Sequence, residues 1–315
     1  MSKVVFGVGA SHSTLMNTHW ADVAHEPRAQ QFRTGLDVTR GRVVEAAPDL
    51  VVIVGSNHFR GFFLDLMPAF TIGIGEVLSA GEAGTPQGPL SVDPAAAQAV
   101  CEHLVGAEFD VAFSARLQVD HGISHAVQYV LAGLDVPIIP VIVNVFAPPL
   151  PSLRRAESFG AALGDALRAL PGARRVAIVA SGGLSHGLPF PDWRDPRSGD
   201  DEFLVEAWLN GRESWTQYEE RRRQIVLAAP AVINPQFDVE LLDAISAGDF
   251  ARYAELDEAT LTEQAGNGGA EIRTWLVASA AVGHPAGEVV VYSPMPEWLT
   301  GMAIAIFTPT PKGTS

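Results

Sequence analysis

The sequence predicts an α/β fold in which a single domain has a central, mostly parallel or mixed sheet covered by helices. Short apolar runs alternate with stretches of helical periodicity through about residue 180, which is typical of α/β proteins. The runs are rich in β-branched residues and bounded by Gly, Pro or Asn, as strands buried on both faces of a parallel sheet are. They are KVVFGVG, DLVVIVG, VPIIPVIVN and RRVAIVAS.

Nine stretches predict helices. Before residue 180 they are QQFRTGLDVTRGRVVEAA, DPAAAQAVCEHLV, SHAVQYVLAGL and LRRAESFGAALGDALRAL. After residue 198 they are DDEFLVEAWLNG, QYEERRRQIVLAA, DVELLDAISAG, DEATLTEQAG and AEIRTWLVASAAV. FTIGIG and EFDVAFSA are further strand candidates without an assigned place in the sheet. EVVVYSP and MAIAIFTP return to a strand pattern, so we expect the C-terminal segment to rejoin the sheet.

No linker rich in Pro, Gly or Ser divides the chain, so we expect one domain over residues 1–310 and a flexible tail at 311–315. With 315 residues, of which 47% are hydrophobic and 18% charged, the chain can bury a sizeable core. Cys101 is the single cysteine, which excludes an internal disulfide and a cysteine metal site. It lies in a helical pattern and is expected to be buried. Any metal must therefore be bound by His and carboxylate side chains.

The charge balance excludes several classes of partner. Lys and Arg number 21 and Asp and Glu 36, for a net charge of −15, which argues against binding to nucleic acid or to an anionic membrane surface. The apolar runs are about eight residues long, far short of the roughly twenty that a membrane helix needs. The N-terminal segment has no signal-peptide pattern. We expect a cytoplasmic homo-oligomer.

Three apolar runs end in a histidine. VVFGVGASH, VVIVGSNH and VAIVASGGLSH close at His12, His58 and His186. Ligands of open α/β sheets bind at the carboxyl ends of the strands, so these side chains are predicted to converge on one crevice. Each histidine could instead cap a helix or bind a buried carbonyl, but the recurrence of one setting favours the crevice.

Two further histidines, His121 and His125, occur in QVDHGISHAV with the spacing of one helical turn. They could hold a metal together, but the His-Glu-x-x-His pattern of zinc sites is missing. His121 is the better candidate, because Asp120 precedes it and Gly122 follows it at a predicted turn. This setting suits an imidazole that must be oriented and charged.

Imidazoles and one carboxylate form the facial triad of non-heme Fe(II) oxygenases, and the same donors bind catalytic zinc. Two carboxylates stand in otherwise apolar settings: Glu271 in GNGGAEIRTW and Glu297 in SPMPEWLTG. Glu271 follows a Gly-rich loop and opens a helix, so it could be directed inward or could complement the helix dipole. The pattern leaves the choice between the two carboxylates open.

Five motifs, in order along the chain, resemble the type III extradiol ring-cleavage dioxygenases of the protocatechuate 4,5-dioxygenase β-subunit superfamily. They are ASHS, SNHFRGFFLDLMPAF, QVDHG, SGGLSH and AEIRTW. The likeness covers nearly the whole chain. It is greatest to the 2,3-dihydroxyphenylpropionate 1,2-dioxygenase group, which is resembled by GFFLDLMPAF, LQVDHG, INPQFD and PMPEWLTG.

The resemblance implies extradiol, or meta, cleavage of a catechol by O2, as part of the catabolism of aromatic compounds. It implies that His12, His58 and Glu271 bind Fe(II). His121 would be the proton donor and His186 the proton acceptor. The product would be a ring-opened semialdehyde or ketone of the 2-hydroxymuconate type, and no nicotinamide or external reductant would be needed.

The substrate that the resemblance implies is a 3-substituted catechol with an acidic side chain, such as 2,3-dihydroxyphenylpropionate. A chain with a net charge of −15 would repel such an anion unless a local cation offset the field. Arg60, Arg116 and Arg273 are the cations next to the motifs, and an arginine can bind a carboxylate through two hydrogen bonds. Asn57 and Asp120, which directly precede two of the site histidines, are candidates for orienting the site.

Three alternatives stay open. The catechol could be neutral or differently substituted, and the pocket would then be apolar. A zinc-dependent hydrolase could use the same His, His and Glu donors with a metal-bound water. A non-catalytic relative could keep the fold as a binding module, although it would not need all five metal-binding and proton-transfer residues.

Overall fold

Nine strands form one mixed sheet in the computed structural model, which describes residues 1–309. In chain order they are β1 (Lys3–Ala10), β2 (Leu50–Ser56), β3 (Phe70–Ala80), β4 (Gln87–Pro89), β5 (Ala112–Val119), β6 (Ile138–Val143), β7 (Arg175–Ser181), β8 (Gly287–Met295) and β9 (Thr300–Phe307). Across the sheet the order is β4-β3-β6-β2-β7-β1-β9-β8, and β5 pairs with β3. The predicted tail at 311–315 lies outside the described residues.

The centre of the sheet is parallel, and most pairings at its margins are antiparallel. β6, β2, β7 and β1 are parallel neighbours, as the four buried apolar runs predict. β9 and β8 add to β1 in antiparallel fashion, which confirms that the C-terminal segment rejoins the sheet. β3 is antiparallel to β6 and parallel to β5, so both unassigned strand candidates belong to the sheet. The short β4 was not predicted, because its three residues, QGP, carry no strand pattern.

Eleven α-helices lie within residues 1–309: α1 (Leu15–Thr18), α2 (Trp20–Val23), α3 (Pro27–Ala46), α4 (Pro94–Gly106), α5 (His121–His125), α6 (Leu153–Ala169), α7 (Gly199–Asn210), α8 (Thr216–Ala228), α9 (Pro235–Ala247), α10 (Glu258–Ala265) and α11 (Ile272–Val282). The predicted helix in SHAVQYVLAGL is shorter than expected. It continues α5 as a π-helical turn and ends at Val130. In this part of the chain no helix has the length and apolar character needed to cross a membrane.

Apolar cores cover both faces of the sheet. Along β2, Leu50 and Val52 point into one core while Val51 and Ile53 point into the other, as the alternation of side chains in a strand requires. Helices α4, α6, α9 and α11 cover the first face, and α3 covers the second. Cys101 on α4 is buried, as predicted. The cores therefore leave the carboxyl ends of the parallel strands free to form a site.

Helix α6 packs so closely on α11 that two of its positions require glycine. A Cβ atom added to Gly160 would lie 2.4 Å from the carbonyl oxygen of Val277, and one added to Gly164 would lie 2.4 Å from that of Ala281. Both contacts are with backbone, so a larger residue would force the helices apart. Because α11 begins directly after Glu271, this packing also fixes where that carboxylate enters the site.

We expect Gly160→Ala to destabilise the protein by about 1–3 kcal/mol, the usual cost of overpacking a core. Gly41 is a matched control, since it also lies inside a helix, α3, but a Cβ atom there would meet no atom within 4 Å. Gly41→Ala should therefore stabilise the protein by about 0.5–1 kcal/mol. Urea unfolding measures both free energies, and equal effects in the two variants would contradict the close packing of α6 on α11.

Candidate active site

Three histidines follow the carboxyl ends of neighbouring parallel strands in the sheet. His12 follows β1, His58 follows β2, and His186 follows β7, which lies between those two strands. All three are buried. Their Nε2 atoms lie 3.4, 3.6 and 3.8 Å, respectively, from carboxylate oxygens of Glu271. The structure therefore brings together the three histidines that the strand pattern placed in one crevice.

Glu271 ends a short 3-10 turn before α11 and is 1% exposed. The hydroxyl of Ser56 donates a hydrogen bond to its Oε1 at 2.5 Å, and the backbone N–H of Gly183 donates one to its Oε2 at 2.6 Å. Burial raises the pKa of Glu271, but the imidazoles of His12 and His58 outweigh burial and hold the pKa well below its usual value. The group is therefore an ionised acceptor at neutral pH.

The other candidate carboxylate, Glu297, lies apart from this group. Its Oε1 is 3.2 Å from Nη2 of Arg28, and its side chain is 37% exposed. The geometry therefore favours Glu271, which is also the residue that the family resemblance implies.

Two of the imidazoles are oriented through Nδ1, which directs Nε2 towards Glu271. Nδ1 of His12 is 2.8 Å from the hydroxyl of Ser181. Nδ1 of His58 is 3.2 Å from Oδ1 of Asp120, whose Oδ2 accepts the His58 backbone N–H at 2.5 Å. Burial lowers the pKa of His58, but Asp120 and Glu271 outweigh burial and raise the pKa to about 9. A metal ion bound at Nε2 would have to displace that proton.

Asp120 orients a different histidine from the one that the sequence predicts. Asp120 accepts hydrogen bonds from His58 and from the backbone N–H of Gly122, whereas it was predicted to orient its neighbour His121. The backbone of Asp120 is extended, with φ −106° and ψ −162°, so consecutive side chains point to opposite sides. Asn57 shapes the loop after β2, because its Oδ1 accepts two backbone N–H groups of that loop at 3.1 and 3.0 Å.

His121 reaches the site from the end of β5. Its ring stacks on that of His58, with ring centroids 3.8 Å apart, and its Nδ1 is 2.5 Å from Oε1 of Glu82. Burial and the charge of His58 lower the pKa of His121 to about 4, although Glu82 opposes them. Ring nitrogens of His12, His58 and His121 all lie within 4.8 Å of one another. His121 therefore borders the space in which a metal could bind.

His186 is held in one tautomer. Its Nδ1 is 2.9 Å from the carbonyl oxygen of Leu184, which can only accept a hydrogen bond, so Nδ1 carries the proton and Nε2 the lone pair. Burial lowers the pKa of His186 more than the charge of Glu271 raises it. A neutral imidazole with a free Nε2 directed at the site can accept a proton.

These side chains line one pocket, together with apolar residues that include Leu188, Phe190, Val226 and Trp298. His125 is not part of its lining. Nε2 of His125 is 3.3 Å from Nδ2 of Asn17, and His125 lines a different cavity. The two clusters of metal-binding side chains found within residues 1–309 do not include it. The helical His121 and His125 pair therefore does not form a metal site of its own.

The three arginines predicted to bind the substrate lie in different surroundings. The side chain of Arg116 is 89% exposed and lies 3.8 Å from a carboxylate oxygen of Glu76. Arg273 is buried, donates to two backbone carbonyls and pairs with Glu258. Arg60 is buried between two carboxylates, at 3.0 and 2.8 Å. The lining of the pocket, as far as residues 1–309 describe it, includes none of the three.

The fold and the site together define an α/β protein with buried imidazole and carboxylate donors suited to a catalytic metal. Residues 7–303 match the family described as the catalytic LigB subunit of aromatic ring-opening dioxygenase. The chain belongs to this family and is an extradiol catechol dioxygenase, as its motifs predict. Membership of the family implies a metal cofactor.

Curated relatives match almost the whole chain. The 2,3-dihydroxyphenylpropionate/2,3-dihydroxicinnamic acid 1,2-dioxygenase of Rhodococcus jostii is 36% identical over 94% of this chain and 95% of its own. Proteins of the same name from Photorhabdus laumondii and Paraburkholderia phymatum are each 34% identical, over 95% and 84% of this chain and 96% and 86% of their own. A solved structure of an uncharacterized protein from Escherichia coli K12 aligns with 96% of this chain and 99% of its own, at 16% identity and a TM-score of 0.46.

Two carboxylates that support the site histidines were missed by the sequence analysis. Glu82 lies in EAGTPQGPL, a segment without regular periodicity, and contacts His121. Asp238 lies in INPQFD, which the sequence analysis used only for the resemblance. It accepts hydrogen bonds from the N–H and hydroxyl of Ser185 at 2.8 and 2.9 Å and from the Tyr292 hydroxyl at 2.8 Å. Since Ser185 precedes His186, Asp238 anchors the loop that carries this imidazole.

Asp238 should make stability depend on pH. Burial outweighs its hydrogen bonds and raises its pKa to about 6, above the value of about 3.9 in an unfolded chain. The stability linked to its proton is therefore fully present below pH 4 and is lost as the pH rises through 6. We expect the wild type to lose about 2 kcal/mol relative to Asp238→Asn between pH 4.5 and 7.5. Urea unfolding at both pH values measures this, and a pH-independent difference would contradict the assignment.

Proposed function

We propose that the chain uses Fe(II) and O2 to cleave a 3-substituted catechol in the extradiol manner, and that this substrate carries an acidic side chain, as 2,3-dihydroxyphenylpropionate does. The observation that carries the proposal is the convergence of His12 and His58 on one oxygen of Glu271, at 3.4 and 3.6 Å from their Nε2 atoms. Two imidazoles and a carboxylate are the donor set of non-heme iron oxygenases. The names of the curated relatives support this choice of substrate.

The residues fit an Fe(II) ion. Nε2 of His12, Nε2 of His58 and a carboxylate oxygen of Glu271 would hold it, and Ser181 and Asp120 keep the two rings oriented through Nδ1. When bound, the ion supplies open positions for O2 and the catechol oxygens and lowers the pKa of a bound hydroxyl group. The three protein donors are buried and lie two residues after β1, two residues after β2 and directly before α11.

Two imidazoles outside this donor set would move protons. His186 would accept a proton from a catechol hydroxyl at Nε2, because the carbonyl of Leu184 holds the proton on Nδ1. His121 would donate a proton to the oxygen atom that departs as the ring opens. Burial lowers the pKa of His121 to about 4, and the carboxylate of Glu82, 2.5 Å from Nδ1, opposes burial and would stabilise the charged imidazole that forms when this residue takes up the proton it donates.

The experiment is anaerobic reconstitution with Fe(II), followed by a panel of catechols and the admission of O2. We expect a yellow, ring-opened product only when iron, catechol and O2 are all present. A zinc-dependent hydrolase with the same ligands, or with His12, His58 and His121, would instead leave the catechol ring intact with or without O2. A non-catalytic relative would bind a catechol without turnover. Either result would contradict the proposal.

Replacing His12, His58 or Glu271 with Ala should abolish both iron retention and turnover, because each residue would supply one of three protein donors. His125→Gln is the matched control, since its ring centroid is 5.9 Å from that of His12 but its Nε2 is bound to Asn17. Its iron content and rate should stay close to those of the wild type. Elemental analysis after gel filtration measures the iron, and full occupancy in Glu271→Ala would refute the ligand set.

His121→Gln and His186→Gln should separate proton transfer from metal binding. Both variants should retain iron and bind a catechol, because neither residue belongs to the proposed donor set. Their kcat should fall by roughly 10² or more, as expected for loss of a general acid or base. Single-turnover kinetics and iron analysis on the same samples test this, and loss of iron from either variant would mean that the roles of the histidines are exchanged.

We further propose that residues 1–310 act as one catalytic domain in a cytoplasmic homo-oligomer, which rests on the sequence expectations alone. Light scattering during gel filtration of the reconstituted enzyme tests the assembly, and a monomer at micromolar concentration would contradict it.

A further inference from the structure

The pocket contains a cationic side chain that no sequence motif indicated. Arg222 on α8 lines the same pocket as His12, His58 and Glu271. The residue is only 9% exposed. It forms part of the pocket wall together with Val226, one helical turn further along α8. Arg222 also lines a second cavity with Glu82 and Glu219, so its side chain borders both spaces.

The Nε atom of Arg222 is buried, and no side chain or carbonyl within residues 1–309 accepts a hydrogen bond from it. Oε1 of Glu219 lies 4.0 Å from Nη1, beyond hydrogen-bonding distance. Burial, and then the charge of Arg60, lower the pKa of Arg222 to about 10, so the group stays charged at neutral pH. A buried charge in this state is costly and favours binding of an anion.

The neighbouring carboxylates are already engaged by Arg60. Nε of Arg60 is 3.0 Å from Glu82, and its Nη2 is 2.8 Å from Glu219. The indole N–H of Trp215 also donates to Glu219, and the guanidinium of Arg60 lies 3.8 Å from the centre of the Trp215 ring. Arg60 and Trp215 both bind Oε2 of Glu219, and Oε1 of Glu219 stays 4.0 Å from Nη1 of Arg222, which leaves Arg222 without a carboxylate in hydrogen-bonding contact.

We infer that Arg222 binds the carboxylate of the substrate side chain while the catechol ring faces the site histidines. This inference rests on the proposed function and identifies the residue that recognises the ring substituent of the substrate. A guanidinium can hold a carboxylate through two parallel N–H···O bonds. Leu188, Phe190 and Val226 provide apolar lining for the intervening carbon chain. A neutral substituent would leave the guanidinium buried without a partner, so Arg222 would also select against neutral analogues.

The test compares kcat/KM for 2,3-dihydroxyphenylpropionate and 3-methylcatechol in the iron-loaded wild type, Arg222→Gln, Arg222→Lys and Arg221→Gln. Arg221→Gln removes the same charge from the same helix, but Arg221 is exposed and paired with Asp200 at 3.0 Å. We expect Arg222→Gln to lower the value for the acid roughly 10- to 100-fold, as loss of a charged hydrogen bond does. The value for 3-methylcatechol should change little. Arg222→Lys should recover part of the loss, and Arg221→Gln should behave as the wild type.

A binding measurement separates this inference from the proposed reaction. 3-Phenylpropionate has the carboxylate but no ring hydroxyls, so calorimetry on the iron-loaded protein under anaerobic conditions reports the carboxylate contact without turnover. The wild type should bind it and Arg222→Gln should not. If no catechol is cleaved, the proposed function fails, and this binding arm still decides the role of Arg222. Equal losses for acid and neutral catechol, or unchanged binding of 3-phenylpropionate in Arg222→Gln, would overturn the inference.

Discussion

The buried carboxylate of Glu271 faces three imidazole nitrogens at 3.4 to 3.8 Å. A carboxylate removed from water is strongly disfavoured unless hydrogen bonds and opposite charge replace its hydration. Ser56, at the end of β2, and Gly183, two residues after β7, provide those hydrogen bonds. The position of the carboxylate therefore depends on the register of two adjacent parallel strands. The rest of the site is arranged around this requirement.

Further carboxylates, which would not themselves bind the metal, hold the site histidines in place. Asp120 orients the imidazole after β2, Glu82 contacts the imidazole after β5, and Asp238 anchors the loop after β7. Each carboxylate lies at least 39 residues away in sequence from the group that it supports. This arrangement fixes ring orientation and tautomer before any ligand binds, which is what metal binding and proton transfer both require.

The charge distribution around the pocket differs from that of the chain as a whole. With a net charge of −15 the protein has no general attraction for an anionic substrate, so recognition of a carboxylate depends on local groups. Arg60 pairs with Glu82 and Glu219 and does not line the pocket. Among residues 1–309, the cation that lines the pocket is the largely buried Arg222. Glu82 also contacts His121. This one carboxylate therefore connects the histidine proposed to donate a proton with the charged groups around Arg222, which is proposed to bind the carboxylate of the substrate.

Sequence alone was sufficient for the α/β class, for the eight longer strands and for the gathering of His12, His58 and His186. These features follow from local periodicity and from the rule that parallel strands end at one edge of a sheet. The choice of Glu271 needed the family resemblance, because two carboxylates shared the same local setting.

Only the tertiary structure decided which side chains meet. His121 and Glu82 are 39 residues apart in sequence, and Asp238 and Ser185 are 53 apart. Neither pair has a local signature, since such contacts depend on how whole strands and helices pack. For the same reason Arg116 and Arg273, although next to motifs, lie outside the pocket, whereas Arg222 enters it from a helix that carries no motif. Local sequence patterns identify the helices and strands, and the packing of these elements determines which side chains meet.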